Sequence, residues 1–431
     1  MNVSSLTSTL ANVTTMNVSS LTSPSANVTN LTVTNTANIK TLNVTSTIVT
    51  SGSIYYSEDL FKRGPYLQPN ATNAPIIQGW ISGTCNAASI VGGSSFWSIS
   101  QTPMYSNLGS PFTGTAVPVN TGSILIPDGR VILTPNTGTS TSIVNPYNYT
   151  ISLAAAIPAG FQGSVVISDG RVIFIPFTST TIGILRVNDV TIAYTQGPTH
   201  NVPSPCFSGG TLDPNGNVVM IPYSTSSNIG NYNPQLNTYS NIKGTAVADG
   251  AFTGGVLLPN GNIICVPFTN ANICQYSPFS QAISNAGTVG ASGTAKFRGG
   301  VLAPNGNVIL VPCSGSVSSN VGVYNPATRV YYNVQTNTGL SAFNGGCLLP
   351  SGNIVFAPFQ SANVGMFDPG SLTYSNSTQW GPPGLQAFAG ATLVPDGRVI
   401  FCSSGVANVG IFQTRTPAPP EFCQSPYFNK Y

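Results

Sequence analysis

Apolar residues in most of this chain come in short runs that stop at a glycine and then resume, and the stop recurs at a near-constant interval. Seven segments carry the pattern: GSILIPDGRVILTP, GSVVISDGRVIFIPF, GGTLDPNGNVVMIPY, GGVLLPNGNIICVPF, GGVLAPNGNVILVPC, GGCLLPSGNIVFAPF and GATLVPDGRVIFCSS. Their turn glycines are Gly129, Gly170, Gly216, Gly261, Gly306, Gly352 and Gly397, spaced by 41, 46, 45, 45, 46 and 45 residues. An apolar run, then Asp-Gly, Asn-Gly or Ser-Gly, then a second apolar run predicts a tight two-residue hairpin with a type I′ turn. These are strands a and b. A polar loop leads to a third run, seen as NIGNYNP (228–234), NVGVYNP (320–326) and NVGMFDP (363–369). A turn then leads to a fourth run, opening near Tyr149, Tyr194, Tyr239, Tyr331 and Tyr374.

Four short strands in roughly 45 residues make one blade of a β-propeller. The expected fold is therefore all-β: a seven-bladed β-propeller of four-stranded blades over 103–414. The ends supply a closure. The last unit gives strands a, b and c (NVGIFQT, 408–414) and then TPAPPEFCQSPYF, whose adjacent prolines oppose a central strand. Upstream, YSNLGSPFTGTAVPVNTGSILIP (105–127) parallels YSNIKGTAVADGAFTGGVLLP (239–259), so Tyr105 opens an orphan fourth strand. Residues near 103–110 are expected to complete the last blade. The repeat resembles the kelch type of propeller through Tyr232-Asn233-Pro234 to Tyr239, Tyr324-Asn325-Pro326 to Tyr331, and Phe367-Asp368-Pro369 to Tyr374. The kelch double glycine follows the second strand, whereas here a double glycine precedes strand a and Pro176, Pro222, Pro267, Pro312 and Pro358 stand near the other place.

Residues 1–53 differ in kind. MNVSSLTSTLANVTT is followed by MNVSSLTSPSANVTN, an imperfect duplication, and then by LTVTNTANIKT and LNVTSTIVTSGS. Val, Leu and Thr alternating with Ser and Asn favour extended structure that cannot bury its apolar positions alone. The segment resembles the repetitive shafts of viral and phage fibres, and similar Asn/Thr/Leu/Val repeats occur in structural proteins of large DNA viruses. That resemblance implies an oligomerising β stalk, most simply a trimer. Residues 54–102 read as a connector holding EDLFKRGPY and SSFWSIS, and 415–431 as a C-terminal tail.

Composition narrows the chemistry. Charged residues are 5% of the 431, against about 25% in an average soluble protein, and Ser, Thr and Asn take their place. The net charge of +3 gives no electrostatic footprint for nucleic acid. No apolar run is long enough for a membrane helix and no signal peptide is visible, so neither membrane insertion nor that secretory route is expected. Asn2-Val3-Ser4, Asn12-Val13-Thr14, Asn27-Val28-Thr29 and Asn43-Val44-Thr45 match the glycosylation acceptor, a pattern an Asn/Thr-rich stretch produces by chance. Eight cysteines without a CxxC pair are read as buried thiols. One pair, Cys265 and Cys274, lies on strands b and c about a hairpin centred between Thr269 and Asn270, where a cross-strand disulfide is geometrically allowed.

Two rings of residues recur with the blades. Phe161, Phe207, Phe252, Phe297, Phe343 and Phe388 stand nine places before the turn glycine, with Asn120 at the first unit, and are expected to pack between blades. Asn228, Asn272, Asn320, Asn363 and Asn408 open strand c, either as local Asx turns or as a row of carboxamides offered to a glycan or peptide. Asp128, Asp169 and Asp396 fit turn geometry, and Arg130, Arg171 and Arg398 read as solvated hairpin residues. The single histidine, His200, excludes the two-histidine copper site of kelch-type oxidases and leaves one lone catalytic candidate. No Walker motif, zinc spacing or calcium loop appears, and no cofactor or metal is expected. The whole design suggests a non-enzymatic virion fibre or surface decoration binding a host ligand or a neighbouring capsid protein. A cell-surface lectin or carbohydrate-active enzyme is the alternative. The face formed by the b–c and d–a connections is the expected binding face, because long loops on a rigid scaffold carry function.

Overall fold

The computed structural model describes the backbone of 2–7 and 11–50, and residues 104–413 apart from 109–118, 139, 156, 188–191, 224–227, 244–251, 291–294, 314–319, 335, 337–341, 383–385 and 407. The connector, the tail and much of the d–a segments lie outside the described residues. The chain divides into two compact units, Met1–Pro75 and Ile76–Tyr431. In the first, strand Asn2–Thr7 pairs in parallel with the long strand Ala11–Thr50. Asn2 lies opposite Asn17, Val3 opposite Val18 and Leu6 opposite Leu21, so like residues of the duplicated segment face each other.

The second unit holds seven antiparallel sheets of four strands. Six are built in chain order; in the fourth blade the strands are Phe252–Leu257 (a), Ile263–Pro267 (b), Asn272–Ser277 (c) and Ala282–Thr288 (d). In the seventh, Phe388–Leu393, Arg398–Ser403 and Gly410–Gln413 are joined by Met104–Asn107, with Tyr105 opposite Phe412. The ring is thus closed by a strand that precedes the first blade. Strands a pack against one another around the axis: a Cβ on Gly122 would lie 3.3 Å from Gly163 Cα, and one on Gly299 3.4 Å from Gly345 Cα. The double glycine is therefore inside strand a rather than before it, and its first member, such as Gly254 at φ +81°, forms a bulge.

The a–b connections are three residues long, not two. Gly129 N–H donates to Ile126 O and Ile126 N–H to Arg130 O, and in Pro127-Asp128-Gly129 only the glycine has positive φ, at +88°. This is a type I turn followed by a left-handed glycine. Pro127 favours this form because it has no N–H to make the closing bond of a two-residue hairpin, so the ladder closes one residue earlier at Ile126. The second blade makes the same turn with Ser168 in that place. Tyr149 lies in a c–d turn at φ +59°, and strand d of that blade starts at Thr150.

Outside the first and fourth blades, each blade is held across its width by one aromatic contact. The phenylalanine that opens strand a lies over the third residue of the Asn-x-Gly triplet in strand c. A Cβ on Gly230 would sit 2.8 Å from Phe207 Cζ, on Gly322 2.8 Å from Phe297 Cζ, and on Gly365 2.6 Å from Phe343 Cζ. Beyond the glycine the ring meets the tyrosine of strand d, with centroids 6.4 Å apart for Phe207 and Tyr239, 6.2 Å for Phe297 and Tyr331, and 6.2 Å for Phe343 and Tyr374. Phe388 and Tyr105 repeat the contact at 6.1 Å across the closing strand. The six phenylalanines are fully buried, as expected of a core ring, and each contributes about 1.5–3 kcal/mol of burial.

The hairpin arginines are not merely solvated. Arg171 pairs with Asp169 at 2.7 Å and also donates to the Pro234 carbonyl of the next blade at 3.0 Å. Arg398, 8% exposed, pairs with Asp396, donates to Pro146 O of the first blade and stacks on Tyr149 with its Cζ 4.8 Å from the ring centre. The Tyr105→Ala variant should lose about 2–4 kcal/mol, the range for emptying a packed aromatic site, read as a lower urea midpoint at unchanged fluorescence end states. Arg398→Lys should also lower the midpoint, because an ammonium cannot make both the carboxylate and the carbonyl contacts of the planar fork. A midpoint equal to wild type would show that the seam between the last and first blades does not need that arginine.

Candidate functional site

The face carrying the b–c and d–a connections is organised by backbone before it is decorated by side chains. In each blade the residue after strand b donates its N–H to the carbonyl of the residue before strand a: Phe177 to Gly160 (2.7 Å), Tyr223 to Cys206 (2.8 Å), Cys313 to Lys296 (2.9 Å) and Phe359 to Ala342 (2.8 Å). The residue before strand a in turn donates to the carbonyl after strand b of the preceding blade, as in Cys206 to Phe177, Lys296 to Phe268 and Ala387 to Phe359, all 2.8 Å. Bonds between blades of this kind occur at four seams among the described residues, at Asn136, Phe177, Phe268 and Phe359, whereas Val119 N–H donates to Thr137 Oγ1. Both kinds of backbone bond hold the position that follows strand b.

Those positions hold Asn136, Phe177, Tyr223, Phe268, Cys313, Phe359 and Ser404. The rings of Phe177 and Tyr223 meet edge to face at 5.2 Å, and Tyr223 stacks on Phe268 at 5.9 Å. At Cys313 the aromatic run is interrupted, and Arg298 from strand a of that blade fills the interval. Its Cζ lies 5.4 Å from the Phe268 ring centre and 5.0 Å from that of Phe359. Burial pushes up both the Tyr223 hydroxyl and the Cys313 thiol, and Arg298 pulls both back, by its charge and, for the thiol, also by a hydrogen bond. The result is a partial collar, four aromatic rings at seven positions, with one guanidinium bridging the gap at Cys313. In the sequence its trace is the Pro-Phe or Pro-Tyr pairs at 176–177, 222–223, 267–268 and 358–359.

The five asparagines take a different place. Asn228, Asn272 and Asn363 open strand c, and Asn320 and Asn408 precede it by one and two residues, all half-buried on the collar's face but two strands further from the axis. Asn272 Oδ1 accepts from Thr288 Oγ1 at 3.0 Å, and Asn320 Oδ1 accepts from Thr336 N–H at 3.0 Å. These carboxamides tie strand c to the end of strand d. Cys265 and Cys274 are register partners, both fully buried and carried as thiols. Burial pushes the Cys274 thiol up to about 12 and that of Cys265 well above its ordinary value. Cys274 stands where other blades have the strand c glycine.

His200 sits between blades. Its Nε2 lies 2.9 Å from Ser179 O and 3.9 Å from Cys206 Sγ, and its ring packs on Phe207 and Tyr239. Burial lowers the imidazole and raises the Cys206 thiol to about 11, the reverse of what an activated thiolate requires. Lys296 is fully buried, its Nζ donating to Asn270 O at 3.1 Å in the preceding blade's b–c loop. It acts as a strut between blades.

No family model and no curated protein matches the chain. Solved structures do. A streptogramin B lyase superposes with a TM-score of 0.60 at 15% identity, over 72% of this chain and 98% of that one. A fungal alcohol oxidase in complex with copper gives 0.55 at 14% identity, over 73% and 76%. The extracellular domain of a one-component system from B. thetaiotaomicron gives 0.54 at 10% identity, over 73% and 40%. The chain is a seven-bladed β-propeller. At these identities the likeness carries the fold alone, and the propellers it resembles include both enzymes and a sensor domain.

His200 supplies a pH test of this face. Its folded pKa lies below the ordinary 6.5, so the unfolded chain binds more protons as pH falls through that value, and stability present above 6.5 is lost below it. The wild-type urea midpoint should therefore fall between pH 7.5 and 5 more than that of His200→Gln. Parallel falls in the two proteins would remove the assignment.

Proposed function

We propose that this propeller is a non-enzymatic structural and attachment protein, a virion fibre or surface decoration whose collar face binds a host ligand or a neighbouring capsid protein. The observation that carries the reading is the inequality of the two faces. One end of every blade is sealed by short hydrogen-bonded turns, while the other carries the longer connections and the aromatic collar, the type of surface that proteins use to grip a partner. The N-terminal segment supports it. Its duplicated sequence pairs with itself in parallel, like residue on like, as a shaft assembled from several chains would require of its strands. In this reading residues 1–53 gather three chains, and the kelch-like Tyr-Asn-Pro marks of strands c and d belong to a propeller displayed on that stalk at a virion surface.

A second reading, a cell-surface lectin or glycan-active protein, draws on the same collar, since aromatic rings are the common platform for sugars. The two share a face and differ in the stalk. Light scattering of the full chain and of a variant beginning at Gly64 separates them: a threefold monomer mass for the first and a single mass for the second is the expected result. Equal masses would leave the stalk without its role.

A further inference from the structure

We propose that the collar holds a subsite for an acidic sugar, with Arg298 taking the carboxylate and the neighbouring rings taking the sugar face. The inference rests on the collar face being the binding face, and it names the ligand class. Arg298 is the second residue of strand a, a position occupied around the ring by Thr121, Gln162, Ser208, Thr253, Arg298, Asn344 and Ala389. Only one of the seven is charged. Thr121 and Thr253 spend their hydroxyls on the Phe161 and Phe297 carbonyls of the next blade, at 2.9 and 2.8 Å, so this position normally serves the scaffold. An arginine there does something else.

Its surroundings explain what. Arg298 lies over the rings of Phe268 and Phe359, which belong to the blades on either side of its own. Stacking of this kind engages the faces of a guanidinium and leaves its in-plane N–H donors for a planar, two-oxygen acceptor. Apart from the Cys313 sulfur, no acceptor in the described residues competes for them. The carboxylates of the described residues, Asp128, Asp169, Asp213, Asp368 and Asp396, all sit in a–b or c–d turns at the other end of the blades, and the described ion pairs of Arg130, Arg171 and Arg398 are formed there. Among the described residues, the cation at the mouth is thus held by rings and has no carboxylate on its own face of the blades. Tyr223 and Phe268, both half-buried, continue the apolar surface beside it: Phe268 already lies under Arg298 and against Tyr223, so a pyranose ring would meet this pair at its remaining exposed carbon surface. The half-buried carboxamides of Gln162 and Asn344 sit at the same level of the ring.

The test uses the full chain and two chemically matched probes, oligosaccharides ending in glucuronate or in glucose, with binding read by saturation-transfer NMR and calorimetry. Wild type should bind the glucuronate probe at least tenfold more tightly. Arg298→Gln should bring the two probes to within about threefold of each other, Arg298→Lys should retain part of the preference, and Phe268→Leu should weaken both probes together. Thermal unfolding of each variant controls for folding. Equal binding of the two probes by wild type, or a preference that survives Arg298→Gln, overturns the acidic-sugar assignment. So does binding of a Glu-rich peptide in place of the sugar. Two patterns keep the failures apart. Binding that is lost with Phe268→Leu but indifferent to Arg298 sinks the sugar acid and leaves the face standing. Binding that ignores both and is lost on changing the turn residues Asn260 and Asn305 sinks the face itself.

Discussion

The constraint on which this propeller depends is the contact between an aromatic ring and a missing side chain. Outside the first and fourth blades, phenylalanine at the start of strand a crosses its blade over a strand c glycine; a Cβ on that glycine would come within about 3 Å of the ring. The ring then reaches the strand d tyrosine, whose hydroxyl is held by the asparagine two places on, as in Tyr374 to Asn376 at 2.6 Å. One contact therefore connects the innermost strand to the outermost. Departures from it come together. The first blade has Asn120, Ser142 and Ile151 in place of Phe, Gly and Tyr, and the fourth has Cys274 and Ile283 in place of Gly and Tyr. Where the floor changes, its partner changes.

The first blade compensates with polar contacts. Asn120 donates to Ser403 at 3.3 Å, Ser123 meets Thr392 at 2.7 Å, and Cys402 donates to Gly122 O at 3.0 Å, all buried across the seam with the last blade. These bonds lie beside an aliphatic cluster of the kind that fills the other blade interfaces, where polar contacts such as Thr253 to Phe297 O are fewer in the described residues. Buried hydrogen bonds are directional, and an unmade one is costly, so this seam accepts one partner in one register. A ring of near-identical blades needs such a mark, because any two of its apolar interfaces would otherwise be interchangeable.

Most of the fold was legible because a repeat states its own period. Seven glycine turns and the orphan Tyr105 were enough to count the blades and to find the closing strand. The turn type differs from the Asp-Gly expectation because the residue before that pair belongs to the loop: a proline there has no N–H to close a two-residue hairpin, and Ser168 in the second blade takes the same form. The asparagines drew attention by recurring, yet the residue in that triplet with the largest structural consequence is the glycine two places later. Arg298 and the collar were not legible. Their members come from five blades, and adjacency between the end of one strand b and the start of another strand a exists only after the ring has closed.

The closing strand has a mechanical meaning. Met104–Asn107 enters its blade from the end that carries the tight turns and runs toward the collar. If the collar grips something while the chain before Met104 is anchored, tension runs along this strand rather than across it. The backbone bonds to Gly410–Gln413 are then loaded together in shear, not peeled one at a time, with the Tyr105 ring wedged against Phe388 and Trp380 as a stop. A ring whose join is non-covalent thereby resists a pull along the closing strand better than one across it.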